Sequence, residues 1–154
     1  MTFLLVVFVV MVLAGGLLLR RGNEARISLR EIPAVFARVE AAGKDGTFAS
    51  FCFQIADETV KDTAVNVQFS VENGRVGFDW VLICEVNRRD REKFLALAQR
   101  LGHVVRKHKA RNGCEYLRAE DGDLAGLCRA VVVELYGLPE SAMLDLVWQG
   151  FDWP

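Results

Sequence analysis

The sequence has few of the residues that build metal centres and disulfide frameworks. It contains only two histidines and four cysteines, and no two cysteines form a C-x-x-C pair. This spacing argues against a structural zinc site and a dense disulfide framework, so we expect reduced, buried thiols and neither a metal nor a cofactor. His103 and His108 are predicted to lie on opposite faces of one strand. The cysteines are Cys52, Cys84, Cys114 and Cys128.

An excess of charge of one sign is also missing. The chain carries 19 Lys and Arg against 20 Asp and Glu, a net charge of −1, so no overall field favours nucleic acid. No Ser or Cys stands in a nucleophile signature with a histidine, and no glycine-rich loop joins a strand to a helix. We therefore expect a non-enzymatic domain. The alternative is a small hydrolase or transferase that uses Asp79 or a cysteine, with Asp79, Cys84, Glu85 and Cys114 as candidates.

The longest apolar run lies at the N-terminus. Phe3–Leu19 contains no charged residue and is followed at once by Arg20 and Arg21. A run of about 17 residues covers most of a hydrocarbon core of about 30 Å, and the arginines behind it favour a cytoplasmic location for the rest of the chain. We predict a single-pass anchor over 1–22 in the inner or plasma membrane, a linker over 23–27 and one domain over 28–154.

Three other interpretations of the apolar run stay open. Ala14 and Gly16 suit the cleavage site of an exported signal peptide. The start codon could also be misassigned, or the run could form a buried core helix.

Helical and strand periodicities alternate through the domain. The predicted order is α-β-β-β-α-β-β-α plus a short C-terminal helix, which gives an α+β fold with a five-stranded antiparallel sheet covered by helices on its apolar face. The helices are Ser28–Ala42, Asn87–Leu101, Asp123–Tyr136 and a short one from Pro139 with Met143, Leu144 and Val147 inward. The strands are Thr47–Ile55, the two halves of a hairpin over Ala64–Val86, His103–Arg111 and Cys114–Ala119.

Two Asn-Gly pairs predict the strand registers. With Asn73-Gly74 as a type I′ turn, Phe69 faces Phe78 and Val67 faces Trp80. The large apolar side chains then share one face, and we expect the polar ones to face solvent on the other. These polar side chains are Asn66, Gln68, Ser70 and Asp79. A second two-residue turn at Asn112-Gly113 would place Arg118 opposite Lys107 and Tyr116 opposite Lys109.

The order of these elements resembles that of class I type III secretion chaperones and of the YbjN-like bacterial proteins that share their fold. The carriers are the helix Ser28–Ala42, the meander Thr47–Val86, the helix Asn87–Leu101, the Asn112-Gly113 hairpin and the helix from Asp123. The resemblance implies protein binding without catalysis, often through a dimer. The predicted anchor departs from that family.

Two sets of side chains are candidate contact surfaces. The basic residues of the fourth strand could meet anionic lipid headgroups or an acidic partner, or could simply keep an edge strand soluble. They are Arg106, Lys107, Lys109 and Arg111. The C-terminal aromatics could anchor a protein interface or close over the core. They are Trp148, Phe151 and Trp153.

The sequence therefore predicts a membrane-tethered, non-enzymatic domain, chaperone-like or adaptor-like, that binds another protein. The partner could be a second copy in a homodimer, and an immunity-type, toxin-binding protein is a further alternative. We expect no nucleic acid partner.

Overall fold

The computed structural model describes residues 23–154, which fold into a seven-stranded antiparallel sheet and four α-helices. The strands are β1 Asn23–Ser28, β2 Phe48–Gln54, β3 Ala64–Glu72, β4 Arg75–Val81, β5 Val105–Lys109, β6 Glu115–Ala119 and β7 Met143–Gln149. The helices are α1 Ile32–Ala42, α2 Glu85–Arg89, α3 Arg91–Arg100 and α4 Leu124–Ala130. A 3-10 turn precedes α1 and a π-helical turn follows α4. The strand order in the sheet is β1-β7-β2-β3-β4-β6-β5.

The first helix ends where its sequence predicts, but it begins at Ile32 and not at Ser28, because Ser28 caps the 3-10 turn Leu29–Glu31. The Glu31 carboxylate accepts hydrogen bonds from the backbone N–H of Ser28 at 2.7 Å and from its hydroxyl at 3.1 Å, which satisfies donors that have no partner within the helix. Gly43 ends the helix at φ 57°, and its N–H donates to the carbonyl of Val39 at 3.2 Å. A left-handed glycine is a common helix stop because it carries no Cβ.

The β3–β4 hairpin has the register that Asn73-Gly74 predicts. Both turn residues have positive φ, 52° and 72°, as a type I′ turn requires. Phe69 pairs with Phe78 and Val67 with Trp80. Trp80 is fully buried and stacks on Phe94 of α3 with ring centroids 4.6 Å apart.

The main core lies between this face of the sheet and the helices. Helix α1 contributes Val35 and Val39 and helix α4 contributes Leu127, all fully buried, while the aromatic side chains of β2, β3 and β4 fill the centre. The apolar stripes of the helices and the alternating apolar residues of the strands therefore meet in one core.

The prediction of five strands and a terminal helix is wrong. The supposed linker 23–27 lies in β1, and Met143–Gln149 forms β7 between β1 and β2. Met143, Leu144 and Val147 also fit a helical spacing, but Leu144 and Leu146 alternate toward the core as a strand does. Pairing on both sides gives β7 more backbone hydrogen bonds than a short surface helix would offer.

The second hairpin differs from its prediction by one residue of register. The N–H of Ala110 donates to the carbonyl of Cys114 at 2.8 Å, which leaves a three-residue turn that ends at Gly113, φ 86°. Arg118 therefore pairs with Arg106, and Tyr116 with His108, instead of with the predicted lysines. Arg118 also pairs with Asp79 of β4, and this pairing places its side chain on the face of the sheet opposite the helices.

None of the helices in residues 23–154 could span a lipid bilayer. The anchor predicted over Phe3–Leu19 lies outside the described residues. Membrane attachment and the cytoplasmic orientation stay predictions from the sequence.

Candidate functional site

The second face of the sheet carries a buried polar cluster. The pairing of β3, β4 and β6 sets Gln68 beside Asp79 and Asp79 beside Arg118. Asn66, Gln68, Ser70 and Asp79 were expected to face solvent, and that prediction is wrong: Asn66 and Asp79 are 0% exposed, Gln68 3% and Ser70 8%. Arg118 is buried with them, at 1%. Buried polar groups are stable only when they are hydrogen-bonded, so the partners of each side chain matter.

Arg118 is held by acceptors on every side. Its Nη1 donates to Asp79 Oδ1 at 2.7 Å and to Ser70 Oγ at 2.8 Å. Its Nε donates to Glu120 at 2.9 Å, and its Nη2 donates to the backbone carbonyls of Ser70 and Arg75 at 3.2 and 2.9 Å. A guanidinium has five N–H donors. All five are engaged, so this arginine organises the cluster rather than offering itself to a ligand.

Asp79 is occupied in the same way. Its second oxygen accepts from Ser70 Oγ at 2.5 Å and from Gln68 Nε2 at 3.0 Å. Burial raises the pKa of Asp79, while the Arg118 guanidinium and the hydrogen bonds from Ser70 and Gln68 act in the opposite direction. Because Asp79 is 0% exposed and both of its oxygens accept hydrogen bonds from the cluster, it does not reach the proton of a substrate, as a general base must.

The backbone of β4 is shaped for this arginine. A Cβ on Gly77 would lie 2.3 Å from Cζ of Arg118, so only glycine leaves room for the guanidinium. Farther along β6, the Tyr116 hydroxyl donates to Glu72 at 2.7 Å, and the ring of Tyr116 packs 5.4 Å from that of His108.

A cleft of about 420 Å³ opens beside the cluster. It lies over β3, between the loop before β2 and the turn that joins β5 to β6. Its lining includes Asp45, Thr47, Phe48, Gln68, Ser70, Glu72, Lys109, Arg111 and Tyr116.

Gln68 links the cluster to the cleft. Its Nε2 is fixed by Asp79, and its Oε1 is buried without a hydrogen-bond partner among the residues that the structure describes. A buried acceptor left unpaired costs about 1–3 kcal/mol. A ligand that donates to this oxygen would recover that energy.

The charged side chains of the cleft lining are two carboxylates and two cations. The Asp45 carboxylate accepts from the backbone N–H groups of Asn73 and Gly74 at 3.1 and 2.7 Å, and Glu72 is engaged by Tyr116. Lys109 and Arg111 are exposed, and within residues 23–154 no carboxylate forms an ion pair with either.

Glu115 attracts Lys109 only at longer range. That carboxylate is already paired with Lys107 at 2.8 Å. Lys109 and Arg111 therefore form no ion pair within residues 23–154, and the exposed Asp45 carboxylate lines the same cleft.

The structure divides the basic residues that the sequence grouped together. Lys109 and Arg111 reach the cleft, Lys107 pairs with Glu115, and Arg106 lines a separate depression of about 200 Å³ beside His108. Strand β5 is an edge of the sheet. Contact of these residues with an anionic surface stays a prediction.

The C-terminal aromatics pack onto the protein. Trp148 lies in β7, is 7% exposed and belongs to the main core, and Phe151 and Trp153 pack against that core while partly exposed. The ring centroids of Trp148 and Phe151 are 6.3 Å apart. This is the placement expected for closure over the core. A role of these residues in partner binding stays a prediction.

The cysteines are buried and free. Burial raises the pKa of Cys52 to about 12 and that of Cys84 and Cys114 to about 11, and it also raises the pKa of Cys128. At neutral pH these groups are thiols, whereas a nucleophile or metal ligand must be a thiolate. No group of three or more His, Cys, Asp or Glu side chains in residues 23–154 is arranged to hold a metal ion.

Sequence reasoning missed Gln68, Ser70, Arg118 and Tyr116 as members of one site. The available signal was the alternation of polar side chains along β3 and β4, which matches the pattern of an exposed face. Comparison of the chain with family models, with curated proteins and with solved structures gives no match.

Proposed function

We propose that this protein is a non-enzymatic protein-binding domain and that the cleft beside Gln68 receives a segment of its partner. One observation carries the proposal: the cleft is lined by a buried glutamine whose Oε1 has no partner among the described residues. A fixed acceptor in a concave, partly apolar site is typical of binding pockets.

The chemistry of the reactive groups supports binding over catalysis. Asp79 is enclosed by three donors, and burial raises the pKa of the thiols. His103 Nδ1 is hydrogen-bonded to the backbone carbonyl of Asp121 at 2.8 Å, away from the cleft. A nucleophile needs a base within hydrogen-bond reach, and the cleft lining contains neither a cysteine nor a histidine.

The walls of the cleft suit a polypeptide. Phe48 and Tyr116 supply aromatic surface, while Gln68 supplies an acceptor for a backbone N–H. A volume of about 420 Å³ falls within the usual range of about 300–1,000 Å³ for a ligand site. The cleft therefore has room for a few side chains of an inserted segment.

A selection of random peptides displayed on phage tests this proposal. The selected peptides are measured against the natural chain, Gln68→Met and the matched control Gln99→Met, because Gln99 is an exposed glutamine on α3. We expect affinity to fall about tenfold or more for Gln68→Met, in line with the loss of a buried hydrogen bond, and to be unchanged for Gln99→Met. Peptides that bind Gln68→Met as tightly as Gln99→Met, or a selection that yields no binder, would contradict the proposal.

A further inference from the structure

We infer that the apolar run Phe3–Leu19 of this chain covers the second face of the sheet, opposite the helices, and packs there on β2, β3 and β7. This contact lies within the chain and goes beyond the binding of a partner in the cleft. Two features carry it: the burial of β2 and β3 on both faces, and the lack of a helix over the second face within residues 23–154.

Strands β2 and β3 are buried on both faces. All six positions over 48–53 are buried in β2, and all eight over 64–71 are buried in β3. Successive side chains of a strand point to opposite faces, so half of these residues lie on the second face. If that face met water, buried and exposed residues would alternate along each strand. Both faces are therefore shielded from solvent.

The helices shield only the first face. Their buried apolar side chains all belong to the main core. The second face carries three smaller apolar groups, none of which contains a helical residue: Phe48 with Val147, Cys52 with Ala64, and Val81 with Cys114. Phe48, Cys52 and Val147 are nevertheless only 6%, 4% and 4% exposed. A side chain on an open sheet face would keep one side in water, so a further part of the chain covers them.

The polar side chains of the second face suit an apolar cover. Asn66 Nδ2 donates to Ser50 Oγ at 2.8 Å, and the guanidinium of Arg118 is enclosed by its own acceptors. Buried polar groups must find hydrogen-bond partners, and these groups find them mainly in one another. The face can therefore be covered by a segment that offers few donors or acceptors.

Residues 1–22 are the part of the chain that remains, and they contain its longest apolar run. They lead into Asn23, the first residue of β1, which is an edge strand beside β7. Neighbouring strands lie about 4.8 Å apart, so β3 is about 14 Å from β1 across β7 and β2. A run of about 17 residues reaches about 26 Å even when helical. The run can therefore cross all three strands, and its own apolar surface leaves water as it does so.

Photo-cross-linking in living cells tests this contact on the full-length chain. Phe8 is replaced by the photoreactive p-benzoylphenylalanine, and the products of irradiation are identified by mass spectrometry. We expect cross-links within the chain to the peptides that contain β2, β3 or β7. A mixture of isotopically light and heavy chains separates these from cross-links to a second copy. Adducts with lipid, cross-links to a second copy or to the helices, or a mature chain without residues 3–19 would overturn the inference.

Two cysteines supply a second measurement. Cys52 lies on the second face and Cys128 in the main core, and both should resist a thiol reagent in the natural chain. Val6→Asp with Val10→Asp should uncover Cys52 and raise its labelling rate about tenfold or more, as local exposure does, while Cys128 stays protected. Rapid labelling of Cys52 in the natural chain, or no change in this variant, would refute the contact.

The matched control places the same charges elsewhere. Ala34→Asp with Ala37→Asp changes exposed positions of α1 and should leave both cysteines protected. Should the variant of the apolar run also label Cys128, the whole domain has opened. Cross-linking then decides the question, because it keeps the run apolar.

Discussion

The buried pair of Asp79 and Arg118 makes a strong prediction about stability. Arg118→Met removes the only cation within residues 23–154 that contacts Asp79, and it leaves a buried carboxylate with Ser70 and Gln68 as its remaining donors there. Breaking a buried ion pair from one side costs about 3–5 kcal/mol. That loss is a large part of the roughly 5–15 kcal/mol that stabilises a typical domain.

Substitution of the aspartate should cost less. In Asp79→Asn the guanidinium keeps Glu120 and the two backbone carbonyls, whereas in Arg118→Met the carboxylate keeps no charged partner. The double variant Arg118→Met with Asp79→Asn removes the uncompensated charge. We expect it to be about 1–3 kcal/mol more stable than Arg118→Met alone, because the buried group is then neutral.

Urea unfolding at neutral and acidic pH measures these differences. Burial already raises the pKa of Asp79 in the natural chain, and loss of the Arg118 cation in Arg118→Met raises it further above the unfolded value of about 3.9. The protonated form of Asp79 is then favoured in the folded protein. The loss of unfolding free energy in Arg118→Met, relative to the natural chain, should therefore shrink as pH falls toward the unfolded pKa. Arg106→Met is the control, because Arg106 is the exposed β5 neighbour of Arg118 in the sheet and should change stability by less than about 0.5 kcal/mol. A cost below about 1 kcal/mol for Arg118→Met, or no rescue by Asp79→Asn, would refute the assigned network.

Four further measurements follow from the fold and the cluster. Gly77→Ala should lower the free energy of unfolding by about 1–3 kcal/mol in urea titration, since its Cβ would meet Arg118; a neutral effect would mean that the guanidinium is not held there. Hydrogen bonds from Arg89, with smaller contributions from Lys93 and Tyr136, lower the pKa of Asp90, so its stabilisation is present above the unfolded pKa of about 3.9 and is lost as pH falls through the lower folded value. Asp90→Asn should therefore flatten the acid limb of stability against pH, and an unchanged limb would argue against this account. The buried thiols should react with a thiol reagent at about pH 8 only after unfolding, and rapid labelling of the native chain would contradict their burial. Trp148→Ala should cost about 3–5 kcal/mol as a core truncation, while an unchanged unfolding midpoint would favour a purely interfacial role.

Local patterns predict the elements whose signals are contained within a few residues. The Ser28 and Glu31 cap, the Gly43 stop and the Asn73-Gly74 turn all have the positions that the sequence indicates. Each depends on contacts between near neighbours in the chain. Such contacts are set by backbone sterics and hydrogen bonding that the residue types reveal directly.

Long-range pairing explains what the sequence did not reveal. Strand β7 forms because β1 and β2 flank it, and those partners lie far from it in the chain. The buried cluster depends on the pairing of β4 with β6, which brings Arg118 beside Asp79. Polar residues that alternate along β3 predict an exposed face. The burial of Asp79 and Gln68 could therefore not be predicted without the position of Arg118.

Chemical-shift mapping tests the proposed binding site most directly. The ¹⁵N-labelled chain is titrated with the tightest peptide from the selection, and backbone and side-chain amide signals are followed. We expect the largest shifts at the Gln68 side-chain amide and at the backbone amides of Phe48, Arg111 and Tyr116. Shifts confined to the helical face or to the residues around Trp153 would contradict a binding site in the cleft.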